Sequence, residues 1–186
     1  MYDLLMARSK SNPQITLRPQ DVVVLLRLSM GRDEPMSYAT LAYEVQMTAS
    51  EVHASIKRAV LSQLATKNKD GKPQVLLEPL KLFLLHGLRY CFPVVRGEMT
   101  RGFPTAHAAP PLVDKLVANN DPPPVWPDKE GSVRGLTFQP LYPTVPQAAA
   151  RNPAFYELLA LADAVRGGSA RERSIAMKEL EQRIAS

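Results

Sequence analysis

Between His53 and Lys72 the chain gathers Lys57, Arg58, Lys67, Lys69 and Lys72 against a single acid, Asp70. Cations at that density do one kind of chemistry well: they neutralise phosphates along a polyanion. Ser50, His53, Ala54 and Lys57 add a second capacity. Small residues let a backbone come close to base edges, and a few longer donors then read them. Thr48 completes the set as a cap that could also touch phosphate. The candidate contact residues are therefore Thr48, Ser50, His53, Ala54, Lys57, Arg58, Lys67, Lys69 and Lys72.

Those residues need a helix and a hairpin to carry them. Thr48-Ala49-Ser50-Glu51 is a Thr-x-x-Glu capping box, in which the hydroxyl takes the N–H of Glu51 and the carboxylate reaches back to Thr48. It predicts a helix over 50–64. At about 100° per residue, Val52, Ile56, Ala59, Val60 and Gln63 share a core face, while Ser50, His53, Ala54 and Lys57 lie opposite. A shorter helical pattern, Ser37 to Val45, precedes it across Gln46 and Met47, which makes a helix-turn-helix. After the second helix, Asp70-Gly71 is a hairpin signal between Ala65-Thr66-Lys67 and Gln74-Val75-Leu76-Leu77. A basic wing is expected at 66–75.

The rest of the chain is read around that unit. Leu17-Arg18-Pro19 opens a helix with Pro at its start. The β-branched run Val22 to Leu28 also suits a strand, but its length and the following Gly31 favour helix. Glu78-Pro79 starts a long helix to about Tyr90. Its apolar residues Leu80, Phe83, Leu84, Leu85 and Leu88 are wide enough a face for the first helix and a partner. Between Phe103 and Pro153 lie eleven of the seventeen prolines. Because Pro lacks the N–H of helix interiors and sheet ladders, this stretch is expected to be extended and at most lightly structured. Asp121-Pro-Pro-Pro-Val-Trp-Pro suits polyproline II, with Trp126 as a surface anchor. Asn152-Pro153 restarts helix up to Gly167-Gly168, and Ala170 to Ile184 is a last helix. That final hairpin has two apolar stripes and must dock on the body or on a second copy.

The expected fold is mainly α with a small β-hairpin wing. It divides into a lead-in at 1–16, a helix-turn-helix domain with wing and long helix at 17–92, a Pro-rich strap at 93–152 and a C-terminal helical hairpin at 153–186.

The stretch Leu41-Ala42 to Arg58 resembles the helix-turn-helix of winged transcriptional regulators, broadly MarR-like. Leu41 and Ala42, Val45, the cap Thr48, and Val52, Ile56 and Val60 carry the likeness, which covers about residues 18 to 77. Gln46 departs from it, standing where such proteins often have Gly. The resemblance implies major-groove binding by the second helix, a phosphate or minor-groove role for the wing, and a homodimer on a palindromic site.

Composition sets the outer limits. The net charge of +5 over 186 residues permits a polyanionic partner, and the apolar share of 45% is that of a soluble globular chain. A single cysteine, Cys91, rules out an internal disulfide and suits a reducing compartment. No stretch reads as a signal peptide or a membrane span, so the expected location is cytoplasmic, with no membrane partner. His86, Cys91 and His107 match no zinc spacing, and neither Asp33-Glu34 nor Glu179-x-Glu181 makes an acid–base pair. Hence no catalytic residue, metal or cofactor is expected, and the chain is not read as an enzyme. His86 is expected in the core. Arg96-Gly97-Glu98-Met99-Thr100-Arg101-Gly102-Phe103-Pro104 reads as a loop without the ending of a P-loop. With aromatics at only 6%, no stacking platform for RNA is evident.

The function these readings favour is sequence-specific regulation of transcription on double-stranded DNA, most simply as a repressor occupying an operator. The alternative is a protein-interaction module, such as an antitoxin or complex subunit, that holds a partner with its winged body and strap.

Overall fold

The computed structural model describes residues 16–31, 36–116 and 121–185. Most of the expected lead-in, 1–15, lies outside the described residues, as do Asp33 and Glu34. Among the described residues the chain is mixed α/β and mainly helical, with one two-stranded hairpin and one three-stranded sheet.

Helix α1 is Pro19–Ser29, with Pro at its first turn. Val22 to Leu26 are all essentially inaccessible. A helix buried on nearly every side explains why its sequence reads equally as a β-branched strand. Helix α2, Tyr38–Val45, starts where the Ser37 hydroxyl accepts from the Thr40 N–H at 3.0 Å. It ends at Gln46, which takes the left-handed conformation, φ 57 and ψ 41. Helix α3, Ala49–Leu61, follows at once and carries both halves of the expected capping box. It stops three residues short of the predicted end. Gln63, expected on its core face, is exposed and left-handed at φ 57, because the chain there reverses into the hairpin.

The hairpin pairs β1, Ala65–Lys67, with β2, Pro73–Val75, antiparallel, Ala65 opposite Val75 and Lys67 opposite Pro73. The Asn68 side-chain oxygen accepts from the N–H groups of Asp70 and Lys72 at 3.0 and 2.9 Å and closes the turn. Gly71 supplies its positive φ of 75.

The next helix is not a uniform rod. It runs as α4, Leu77–Leu82, passes through a π-helical turn at Phe83–Gly87 and finishes as α5, Leu88–Cys91. The wider turn keeps Leu80, Leu84 and Leu88 all fully buried. These leucines, expected to serve a partner, are used inside the chain. His86, expected in the core, is exposed.

The Pro-rich stretch is folded, against expectation. Strand β3, Arg96–Pro104, is antiparallel to both β4, Pro124–Pro127, and β5, Val133–Phe138, while β4 and β5 pair in parallel. Two features reconcile prolines with a sheet. Pro124 and Pro127 sit at the ends of a four-residue strand, where a lost N–H is tolerated. Glycines also stand where the three strands close on one another. A Cβ on Gly102 would meet the Trp126 carbonyl at 1.9 Å, and one on Gly135 the Pro123 carbonyl at 2.0 Å. The supposed loop 96–104 is thus a strand.

Helix α6, Val145–Arg151, leads into α7, Pro153–Gly167, and α8, Ala170–Ala185. The Asn152 side chain caps α7 by accepting from the Phe155 N–H at 3.0 Å. Every residue from Leu158 to Arg166 is buried, so α7 is the centre of the molecule. It packs on α1, α5 and α8, and α8 reaches α4. The final hairpin therefore docks on the body.

A buried polar knot ties the sheet to α7. The Asp163 carboxylate accepts from Thr105 Oγ1 at 2.9 Å, Trp126 Nε1 at 2.6 Å and Arg166 at 2.6 Å. Burial pushes this carboxyl up, opposed by the Arg166 charge and by the bonds from Trp126, Thr105 and Arg166. Trp126, expected to anchor the strap onto a domain surface, is fully buried against α7. One apolar cluster runs from Val22 to Ile184, so the expected division at 92 and 152 cuts through a shared core.

Candidate nucleic-acid interface

Helix α3 is amphipathic as its spacing demands. Val52, Ser55, Ile56 and Ala59 are buried, whereas Ser50, His53, Ala54 and Lys57 are exposed. The core face is fixed against α1 and α2, and the opposite face is left to solvent. Beside it the hairpin presents Lys67, Lys69 and Lys72, all exposed.

His53 is not a free ring. It stacks on Tyr38 with centroids 3.8 Å apart and planes 8° from parallel. That stack, with Ala54, Lys57, Leu61 and Lys67, lines a groove of about 530 Å³ between α3 and β1. Its walls are apolar and its rim carries two ammonium groups. Thus His53, Ala54, Lys57 and Lys67 share one concavity, while Lys69 and Lys72 stand on the neighbouring turn.

Thr48 and Ser50 lie at the start of α3 and are exposed. The Thr48 hydroxyl is already committed. It accepts from the Glu51 N–H at 3.2 Å and donates to the Glu51 carboxylate at 2.7 Å. Glu51 has a further partner that sequence spacing does not reveal: the Tyr142 hydroxyl, 91 residues away, donates to it. The Tyr142 hydroxyl first, and then the backbone and side chain of Thr48, hold the Glu51 carboxyl below its ordinary range. The same bond raises Tyr142. Nearby, Thr144 Oγ1 donates to the Val45 carbonyl at 3.0 Å. The segment before α6 therefore grips both the end of α2 and the start of α3.

Arg58, expected among the contact residues, is turned inward to an ion pair with Asp21. Its Nε and Nη2 donate to the two oxygens of Asp21 at 2.8 and 2.6 Å, and Nη2 also reaches Ser55 Oγ at 3.2 Å. Asp21 is wholly buried and the Arg58 side chain is only 14% exposed. The carboxylate holds the guanidinium charged, raising it further. Taking Arg58 for a phosphate contact overlooked Asp21 in α1, whose acidic side chain reads by itself as a first-turn residue favoured by the helix dipole.

Two groove residues were missed by sequence reasoning, Tyr38 and Leu61. Tyr38 opens α2, so its approach to His53 follows from helix crossing, whereas Leu61 stands one turn after Lys57 on the same face of α3. Leu61 is 55% exposed and gives the groove part of its apolar wall.

Other candidate chemistry is not assembled. Among the described residues, no group of three or more His, Cys, Asp or Glu side chains could hold a metal ion. His86 and Cys91 are exposed, and His107 Nδ1 lies 3.4 Å from Glu172. Glu179, read as a solvated residue, is instead bonded by Lys115 and Arg183 at 2.6 and 2.5 Å. No helix among the described residues is long and apolar enough to cross a membrane. Compared with protein-family models, with curated proteins and with solved structures, the chain matches none.

Proposed function

We propose that this chain is a sequence-specific double-stranded DNA-binding regulator of transcription, acting as a repressor in the cytoplasm. The reading treats α2 and α3 as a helix-turn-helix and the β1–β2 hairpin as its wing. In this mechanism α3 enters the major groove, with Ser50, His53, Ala54 and Lys57 towards base edges. Lys67, Lys69 and Lys72 neutralise phosphates beside it and set the register. One observation carries the reading: the polar face of α3 and the cationic hairpin are exposed side by side. Their opposite sides are anchored in the core.

A homodimer belongs to the same proposal. Its surface cannot be Leu80, Leu84 and Leu88, which are buried. The exposed Leu82 and Tyr90, with His86 between them, are the outward face left to that helix. The competing reading, a module that holds a protein partner, drew on a long free strap. Among the described residues, Arg96–Pro104, Pro124–Pro127 and Val133–Phe138 of that stretch are paired strands, which weakens that motive.

Selection from a pool of random-sequence duplexes tests the proposal. A two-fold symmetric consensus should be enriched, and protein at equilibrium should run as a dimer. Recovery of unbiased sequence, with no retention above a control protein, would dismiss the reading.

A further inference from the structure

Arg101 on β3 and Arg134 on β5 are direct partners across the antiparallel ladder, and both are exposed. Residues so placed have their Cβ atoms about 5 Å apart, and like charges there repel. Neither guanidinium has a carboxylate within ion-pair distance among the described residues. Four arginines elsewhere meet acids, Arg27 with Glu44, Arg58 with Asp21, Arg166 with Asp163 and Arg183 with Glu157, while Arg89, Arg96 and Arg151 lie over aromatic rings. Cross-strand neighbours that both carry an exposed guanidinium can share one anion between them, and phosphate suits the fork geometry best.

The pair is also mechanically joined to the interface. The Asp128 N–H donates to the Arg101 carbonyl at 3.1 Å, and Gln147 of α6 donates to the Asp128 carboxylate at 2.8 Å. At its start α6 is bonded to the end of α2 through Thr144, and at its end Arg151 lies 5.2 Å over the Tyr43 ring of α2. A continuous run of bonds thus holds the arginine pair in fixed relation to the turn before α3.

We propose that Arg101 and Arg134 form a second phosphate-contact point, which extends the duplex footprint beyond α3 and its hairpin. The proposal rests on the DNA-binding reading above. It needs no base contact, so it raises affinity without altering sequence preference.

The test uses the full chain, its Arg101→Gln/Arg134→Gln variant and each single variant. Affinity is measured over a salt series on a short and a long duplex that share one core sequence. On the long duplex, the double variant should lose roughly one to two units of the log–log salt slope, since each phosphate contact contributes about 0.9. On the short duplex its slope should match that of the parent. Melting temperature should hold or rise, because a repulsive pair has been removed; a purely structural pair would lower it. Each single variant shows the same sign, which covers a double variant that fails to fold. If the parent binds both duplexes and the variants keep its slope on the long one, the second contact is refuted and the α3 reading stands. If the parent binds neither duplex, both fall together.

Discussion

The Tyr142 hydroxyl donates a hydrogen bond to the Glu51 carboxylate, the same carboxylate that closes the capping box of α3. A residue from the second half of the chain thereby helps to set the end of the helix proposed to meet DNA. The position of α3 is a property of the whole molecule and not of a detachable N-terminal unit.

Replacing Tyr142 by Phe removes that donor while keeping the ring. The site is partly solvated, so the expected loss is about 0.5–1 kcal/mol, below that of a buried bond to a charged group. The pH dependence has a definite sign. Glu51 is held below its ordinary 4.5 in the folded chain, chiefly by Tyr142. Its contribution is therefore full above the unfolded carboxyl range and lost as pH falls through the folded value. Urea midpoints of parent and Tyr142→Phe should differ near neutrality and converge in acid below the ordinary carboxyl range. A gap that persists or widens there would mean the bond to the carboxylate is not its source.

Arg58 and Lys57 are neighbours in sequence with opposite expected behaviour. Arg58→Ala strands the wholly buried Asp21 carboxylate and should cost about 3 kcal/mol. Lys57→Ala, on the exposed face, should change stability by less than about 0.5 kcal/mol while weakening duplex binding. Denaturant titration of the two variants checks this contrast. Equal stability losses would show that the partition of α3 into faces is wrong.

Gln46 holds a left-handed backbone at φ 57, where a Cβ is costly, although its side-chain amide donates back to the Tyr43 carbonyl. Gln46→Gly should therefore leave stability unchanged or raise it by up to about 1 kcal/mol, whereas Gln46→Val should lower it by about 1–2 kcal/mol. Thermal melts of both variants decide the matter. A tolerated Val would exclude the left-handed turn between α2 and α3.

Trp126 is the only tryptophan and reports on the Pro-rich half directly. Buried and bonded to Asp163, it should emit as a shielded indole, resist iodide quenching and shift to the red only on global unfolding. Trp126→Phe keeps much of the ring but removes one of the three donors to the buried Asp163 carboxylate, at a cost of about 1–3 kcal/mol. Quenching in native buffer would point to the loose strap that composition alone suggests.

What could be read from the sequence was local. The Thr48–Glu51 box, the amphipathic period of α3, the Asp70-Gly71 turn and the Asn152 cap each depend on residues within a few positions of one another. What could not be read was made by distant partners. Arg58 meets Asp21 across 37 residues, and Glu51 meets Tyr142 across 91. The strands β3, β4 and β5 were hidden for a further reason. Proline content argues against ladders on average, yet here prolines occupy the ends of β4 and glycines permit the close approach. His86 was misplaced although it lies two residues, about 200° round a helix, from the buried Leu84; its spacing alone sets it opposite the face of Leu80, Leu84 and Leu88. Within the candidate interface the cations of the hairpin were legible, whereas the Tyr38–His53 stack required the crossing of two helices.

The most direct measurement is the salt dependence of duplex binding by the parent and by Lys57→Ala/Lys69→Ala. If α3 and its hairpin contact the phosphate backbone, the folded double variant binds more weakly. Its log–log slope then falls by about two units, at about 0.9 per lost contact. A folded variant with the slope and affinity of the parent would contradict the account.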